Sequence, residues 1–146
     1  VKVKFSIPGA PRTKKTHNRL IRVRGIHRLI PSVQYVTWHE AAWRQAWVIR
    51  EDLRGAGVKL PISGDIQVSA IFWRDAKRGD LTGYMQALGD WLQDVQIIMN
   101  DRQIVSWDGT RLDKDAERPR IDVSMEWADN DRIKGRQQPE QQEIPL

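Results

Sequence analysis

Cysteine is absent from this chain. That excludes disulfides, thiolate zinc sites and cysteine nucleophiles together, and it fits a reducing, cytoplasmic setting. No apolar run approaches a membrane span, so no membrane partner is expected. The chain opens on a charged, alternating segment where a signal peptide would be apolar, and secretion is not expected. A third absence is local: the first 39 residues contain no Asp or Glu, yet they hold nine Lys or Arg. The remaining 107 residues hold 15 basic and 19 acidic side chains, so the net charge of +5 is the difference between a basic arm and a slightly acidic body. The basic residues do not lie on an amphipathic helix, which sets a membrane surface aside and leaves a polyanion such as nucleic acid. His17, His27 and His39 lack metal-ligand spacing, no Ser-His-Asp arrangement stands out, and no Gly-rich phosphate cradle calls for an organic cofactor.

At 146 residues the chain can bury one core, and the expected organisation is a single domain over residues 1–128 with a flexible, polar C-terminal tail over 129–146. Val3, Phe5 and Ile7 alternate with Lys2, Lys4 and Ser6, the period of a half-buried strand that Pro8-Gly9-Ala10-Pro11 ends. A basic loop and a small hairpin about Gly25 follow. A long first helix is predicted from the Trp38, Ala42, Ala46, Ile49 and Leu53 stripe, with Thr37 and Glu40 spaced as a capping box and Gly55-Ala56-Gly57 as its stop. Trp43 and Trp47 lie about 100° from that stripe. Core packing is their expected fate, with contact to a second chain or base stacking as alternatives. Ile66 to Trp73 reads as a central strand, Asp80 to Gln93 as a second helix, Gln103 to Trp107 as a strand, and Ile121 to Trp127 as a final alternating strand. The fold class is α/β of the α+β kind: a small mixed β-sheet with two main helices.

The candidate chemistry lies between Arg74 and Ile104. Isolated aspartates, Asp80 and Asp90, mark the second helix, and Asp101 follows in Asn100-Asp101-Arg102-Gln103-Ile104. Carboxylates of this kind suit a hard cation that keeps its own waters and borrows phosphate oxygens. Asp80 and Asp90 are separated by roughly 15 Å of helix and cannot grip one ion within a chain. The residues from Val95 to Asp101 can retrace roughly 23 Å if extended. A metal shared by Asp80 and Asp101 in one chain is therefore preferred, with assembly across two subunits as the alternative. The plain alternative for Asp80 is a helix N-cap, and for Asp90 and Asp94 a solvated face.

These segments resemble RusA-type Holliday junction resolvases. The matching stretches are Asp80-Leu81-Thr82-Gly83, Asp90, and Asn100 to Ile104, together with Pro8 to Pro11, the basic run Arg12 to Lys15, and Pro31 to Glu40. The resemblance spans residues 1–128. It implies a RusA-like homodimer that acts as an endodeoxyribonuclease on four-way DNA junctions, using Mg²⁺, or Mn²⁺ in its place. Asp80, Asp101 and Asp90 fall at its catalytic positions, and Asp80 and Asp101 at its metal ligands. Backbone phosphates would be met by Arg12, Lys14, Lys15, Arg19, Arg22, Arg24, Lys77 and Arg78. Three positions depart from the pattern: Thr82 replaces a second Asp, Gly83 an Asn, and Gln86 a Lys. The chain thus works with a reduced site, or recruits another acid such as Asp75, or binds junctions without cutting them.

Overall fold

Three strands set the core by alternation alone. In the computed structural model, which describes residues 1–13, 19–30, 32–77, 79–128 and 143–145, β1 (Lys2–Pro8), β4 (Ile66–Arg74) and β7 (Arg120–Trp127) lie side by side with β7 antiparallel to both. Register brings Val3, Met125 and Val68 into one row, then Phe5, Val123 and Ala70, then Ile7, Ile121 and Phe72. All nine are buried. The intervening residues form the opposite face, with rows such as Lys4, Ser124, Ser69 and Ser6, Asp122, Ile71. One face is thus apolar and covered while the other meets water, as an antiparallel centre allows.

Ile66 to Trp73 is the central strand expected from its composition. On its free side β4 pairs in parallel with β5 (Ile104–Ser106) and then with β6 (Arg111–Lys114), two short pieces that share one edge. Thr110 bridges the gap between them, its Oγ1 accepting the Ala70 N–H at 3.1 Å. Strand β6 falls in the stretch expected as a charged loop. At the far edge β8 (Glu143–Pro145) pairs in parallel with β1. It lies within the stretch expected as a tail, whose residues 129–142 and 146 lie outside the described residues. The hairpin of β2 (Arg19–Val23) and β3 (Ile26–Ile30) forms its own two-stranded sheet.

The covering layer is α1 (Val33–Gly55) and α2 (Leu81–Asp94). The expected stripe of α1, from Trp38 to Leu53, is buried together with Tyr35. Its expected capping box is corrected: Ser32 is the N-cap, accepting the Tyr35 N–H at 3.1 Å, so the helix starts ahead of Thr37 and Glu40. A serine directly before a helical apolar pattern outcompetes an interior Thr-x-x-Glu because only the first turn has orphan N–H groups to satisfy. Core packing of Trp43 and Trp47 is also corrected, since they remain 51% and 68% exposed. The face of α1 against the sheet is already filled by smaller residues at helical spacing. No helix among the described residues is long and apolar enough to cross a membrane.

One side chain fixes the connection beyond α2. Gln103 accepts the Met99 and Asn100 N–H groups through Oε1 and donates through Nε2 to the carbonyls of Ile62 and Gly64. The Asn100 side chain accepts from Arg102 N, completing a capping box around the 3-10 turn Asp101–Gln103. With each neutral bond contributing roughly 0.5–1.5 kcal/mol, this amide is the lock that sets where Asp101 stands.

Candidate active site

Asp80 is the N-cap of α2. Its Oδ1 accepts the Gly83 N–H at 2.8 Å, and the residue stays exposed. Sequence reasoning allowed both a cap and a ligand here, and the cap is realised. A Cβ on Gly83 would stand 2.7 Å from that same Oδ1 and 3.1 Å from Cγ2 of Thr13. Glycine at position 83 therefore leaves room for the Asp80 carboxylate on one side and Thr13 on the other.

Thr13 belongs to the basic arm. It follows β1 through Gly9, whose positive φ of 102° turns the chain and whose N–H donates to Pro119 O at 3.1 Å. Thr13 is 4% exposed, and its methyl also lies where a Cβ on Gly79 would come within 3.2 Å. The neighbouring Arg12 donates to Asp75 Oδ2 at 3.5 Å, with its side chain 18% exposed. The root of the arm is thereby clamped to the loop between β4 and α2, beside Asp75 and Asp80. Arg12 anchors the arm there, while Lys77 is an exposed cation on the same loop. Lys14, Lys15 and Arg78 lie outside the described residues. Arg22 and Arg24 are exposed on the β2–β3 hairpin, and Arg19 opens β2.

Asp101 comes to rest beside Gly89, further along α2 than Gly83. Its Cβ lies 3.7 Å from where a Cβ on Gly89 would stand, and its N–H donates to Gln93 Oε1 at 3.0 Å. Gly83 and Gly89 are separated by roughly 9 Å of helical rise and about 120° around the axis. Asp80 and Asp101 thus sit against different turns of α2. Asp90 is half-buried and turned toward α1. Burial first, then the charges of Asp90 and Asp94, push the Tyr35 phenol well above its usual range. His39 of α1 lies 3.3 Å from Asp94 across the same seam. Among the described residues no three His, Asp or Glu side chains form a metal-holding group.

Sequence reasoning missed a second polar cluster at the same end of the sheet. Arg120 donates to Asp115 at 3.0 Å and to Asp122 at 3.2 Å, and its guanidinium lies 4.7 Å from the Trp73 ring centroid. Asp122 also accepts from Ser6 at 2.7 Å and from Trp73 Nε1 at 2.8 Å. The Asp115 N–H donates to Arg74 O, one residue from Asp75. The Arg118 N–H, above all, holds the Asp115 carboxyl below the usual range, helped by Arg120 and Glu117. The signal for this cluster was the period-two spacing of Arg120 and Asp122, which puts charges on the wet face of β7. Comparison with protein-family models and with curated proteins finds no match.

Two opposing magnitudes decide the fate of Gly83→Ala. Alanine gains about 1 kcal/mol of helix propensity. Against that stand loss of the Asp80 cap, typically about 1 kcal/mol, and overpacking against Thr13, roughly 1–3 kcal/mol. Chemical denaturation should show a net loss of about 1 kcal/mol or more; a variant as stable as the parent or more so contradicts this packing.

Proposed function

We propose that the protein is a homodimeric, metal-dependent endodeoxyribonuclease of the RusA type, acting on four-way DNA junctions in the cytoplasm. The observation that carries this reading is the clamp of the acid-free arm onto the loop that bears Asp75 and Asp80. A phosphate backbone drawn in by the arm arrives beside an exposed carboxylate. Phosphate contacts hold position without reading sequence, so recognition is of junction shape.

Because Asp80 and Asp101 sit against different turns of α2, the proposed Mg²⁺ or Mn²⁺ site takes Asp80 from one copy and Asp101 from the other. When bound, such an ion lowers the pKa of a coordinated water and polarises the phosphate. The chain's own parts do the rest: Lys77 and the arm neutralise the backbone, Gln103 sets the Asp101 turn, and Asp90 braces α2 against α1. Two-fold symmetry of the dimer matches the two-fold symmetry of the junction.

The outer face of α1 supports the second copy. Val36, Trp43 and Trp47 form an exposed strip, flanked by the exposed Glu40 and Arg54. Two such helices packed antiparallel about the Trp43–Trp47 midpoint set Trp43 against Trp47 of the partner subunit. Trp47→Glu should convert the dimer to monomer in sedimentation, and an unchanged mass removes α1 from the interface.

A second reading is favoured by Thr82, which stands where the resemblance implies an Asp, and by the cap and ion pair that engage Asp80 and Asp75. On that reading the protein binds junctions without cutting. A labelled four-way junction with and without Mg²⁺ separates the two: paired nicks support the nuclease, a retarded intact junction the binder. Asp80→Asn still caps the helix, and both it and Asp101→Asn should abolish nicking and spare retardation. Mixing the two variants should restore nicking at one site per dimer, because one pairing of copies keeps both carboxylates. A mixture as inactive as its parts rules out sharing across the dimer.

A further inference from the structure

Neither strand of the β2–β3 hairpin joins the main sheet, yet the hairpin is rich in large apolar side chains. Leu20 and Leu29, each 67% exposed, face each other across the ladder, and Val23 and Ile26 do so next to the turn at 43% and 59% exposed. An isolated two-stranded hairpin is marginal in water. By period-two alternation the Leu20–Leu29 pair lies on one face and the Val23–Ile26 pair on the other, so each face carries exposed apolar side chains of the kind a partner covers. Charge selects what covers it. Residues 19–30 carry Arg19, Arg22, Arg24 and Arg28 with His27, and no acid. Four cations with no anion over twelve residues complement a phosphate backbone.

The turn gives a second, independent observation. Arg24 and Gly25 both have positive φ, 51° and 79°, as a two-residue type I′ hairpin turn requires. Glycine or asparagine meets that requirement with little strain, whereas an arginine carries a steric penalty there. The strained residue puts a cation at the outermost point of the arm, directly between Val23 and Ile26. Strain of this kind concentrates where a ligand is held.

We propose that the hairpin is a wedge for the centre of branched DNA. Val23 and Ile26 enter the gap at an unstacked base step, and Arg22, Arg24 and Arg28 hold the flanking phosphates. Insertion of apolar side chains between bases is a known way to stabilise an opened step, and the cost of opening is least where bases have already lost a neighbour. The inference rests on the branched-DNA reading above and adds to it how the branch point is recognised. It concerns binding alone and needs no metal.

The test uses the full chain in EDTA with a four-way junction carrying 2-aminopurine at the branch, and a linear duplex carrying it internally. Retardation and fluorescence are read on the same samples. The parent protein should raise fluorescence at the branch and leave the duplex unchanged. Val23→Ser with Ile26→Ser should retard the junction with the same salt dependence while losing the rise. Arg22→Gln with Arg28→Gln should lower the slope of log affinity against log salt by about 0.9 for each contact removed. Retardation without any fluorescence rise by the parent overturns the wedge and leaves the branched-DNA reading standing. So does a serine variant that is folded by circular dichroism and still raises it. Failure of the parent to retard the junction overturns the branched-DNA reading itself.

Discussion

The contact among Asp80, Gly83 and Thr13 is the joint on which the candidate site depends. One carboxylate starts α2, one glycine makes room for it, and one threonine methyl fills what remains. Three chain segments meet there: the exit of β4, the entry of α2 and the root of the acid-free arm. A cap contributes only about 1 kcal/mol to a helix. This one also fixes where the basic arm beyond Thr13 begins to leave the body, so its positional consequence exceeds its energy.

From that joint α2 acts as a ruler. Asp80 stands at its start, Asp90 two to three turns on against α1, and Asp101 beyond it, held over Gly89 by the Gln103 and Gln93 amides. The spacing keeps like charges apart and removes the repulsion that a tight carboxylate cluster without a cation would suffer. On the proposed reading, the ion is gathered between two copies and not within one. The proposed nuclease is therefore a property of two copies. The exposed tryptophan strip of α1 gives that pairing a surface, since aromatic anchors are what stable interfaces use.

Most of the sheet was legible because period-two alternation is a direct image of a two-sided layer. Val3, Phe5 and Ile7, Ile66 to Trp73, and Ile121 to Trp127 all fell where the pattern put them. Helix α2 was legible from its apolar side, and Asp80 from its place before it. Other features resisted for physical reasons. Strand β6 is an edge made of Arg111, Leu112, Asp113 and Lys114, whose pairing comes from the neighbouring backbone more than from side-chain pattern. The start of α1 turned on a single serine, and an interior Thr-x-x-Glu imitates a cap perfectly well at the level of spacing. Trp43 and Trp47 were assigned to the core by hydrophobicity, but a helix on a sheet buries a limited arc, and smaller residues already occupied it. In the site, the reach of the Val95–Asp101 connection set only an upper bound. Where Asp101 came to rest depended on Gln103 bonding to carbonyls about forty positions earlier, a long-range choice invisible to local reading.

The most direct test of the account places a photocrosslinker in place of Thr82, on the exposed first turn of α2 beside the joint, with a second protein carrying it in place of Val105 at the opposite edge. Irradiated on a four-way junction, the first should crosslink to nucleotides next to the branch point, and the second should not. Crosslinks from position 105 but none from position 82, on a protein that still retards the junction, would contradict the claim that the arm delivers DNA to the start of α2.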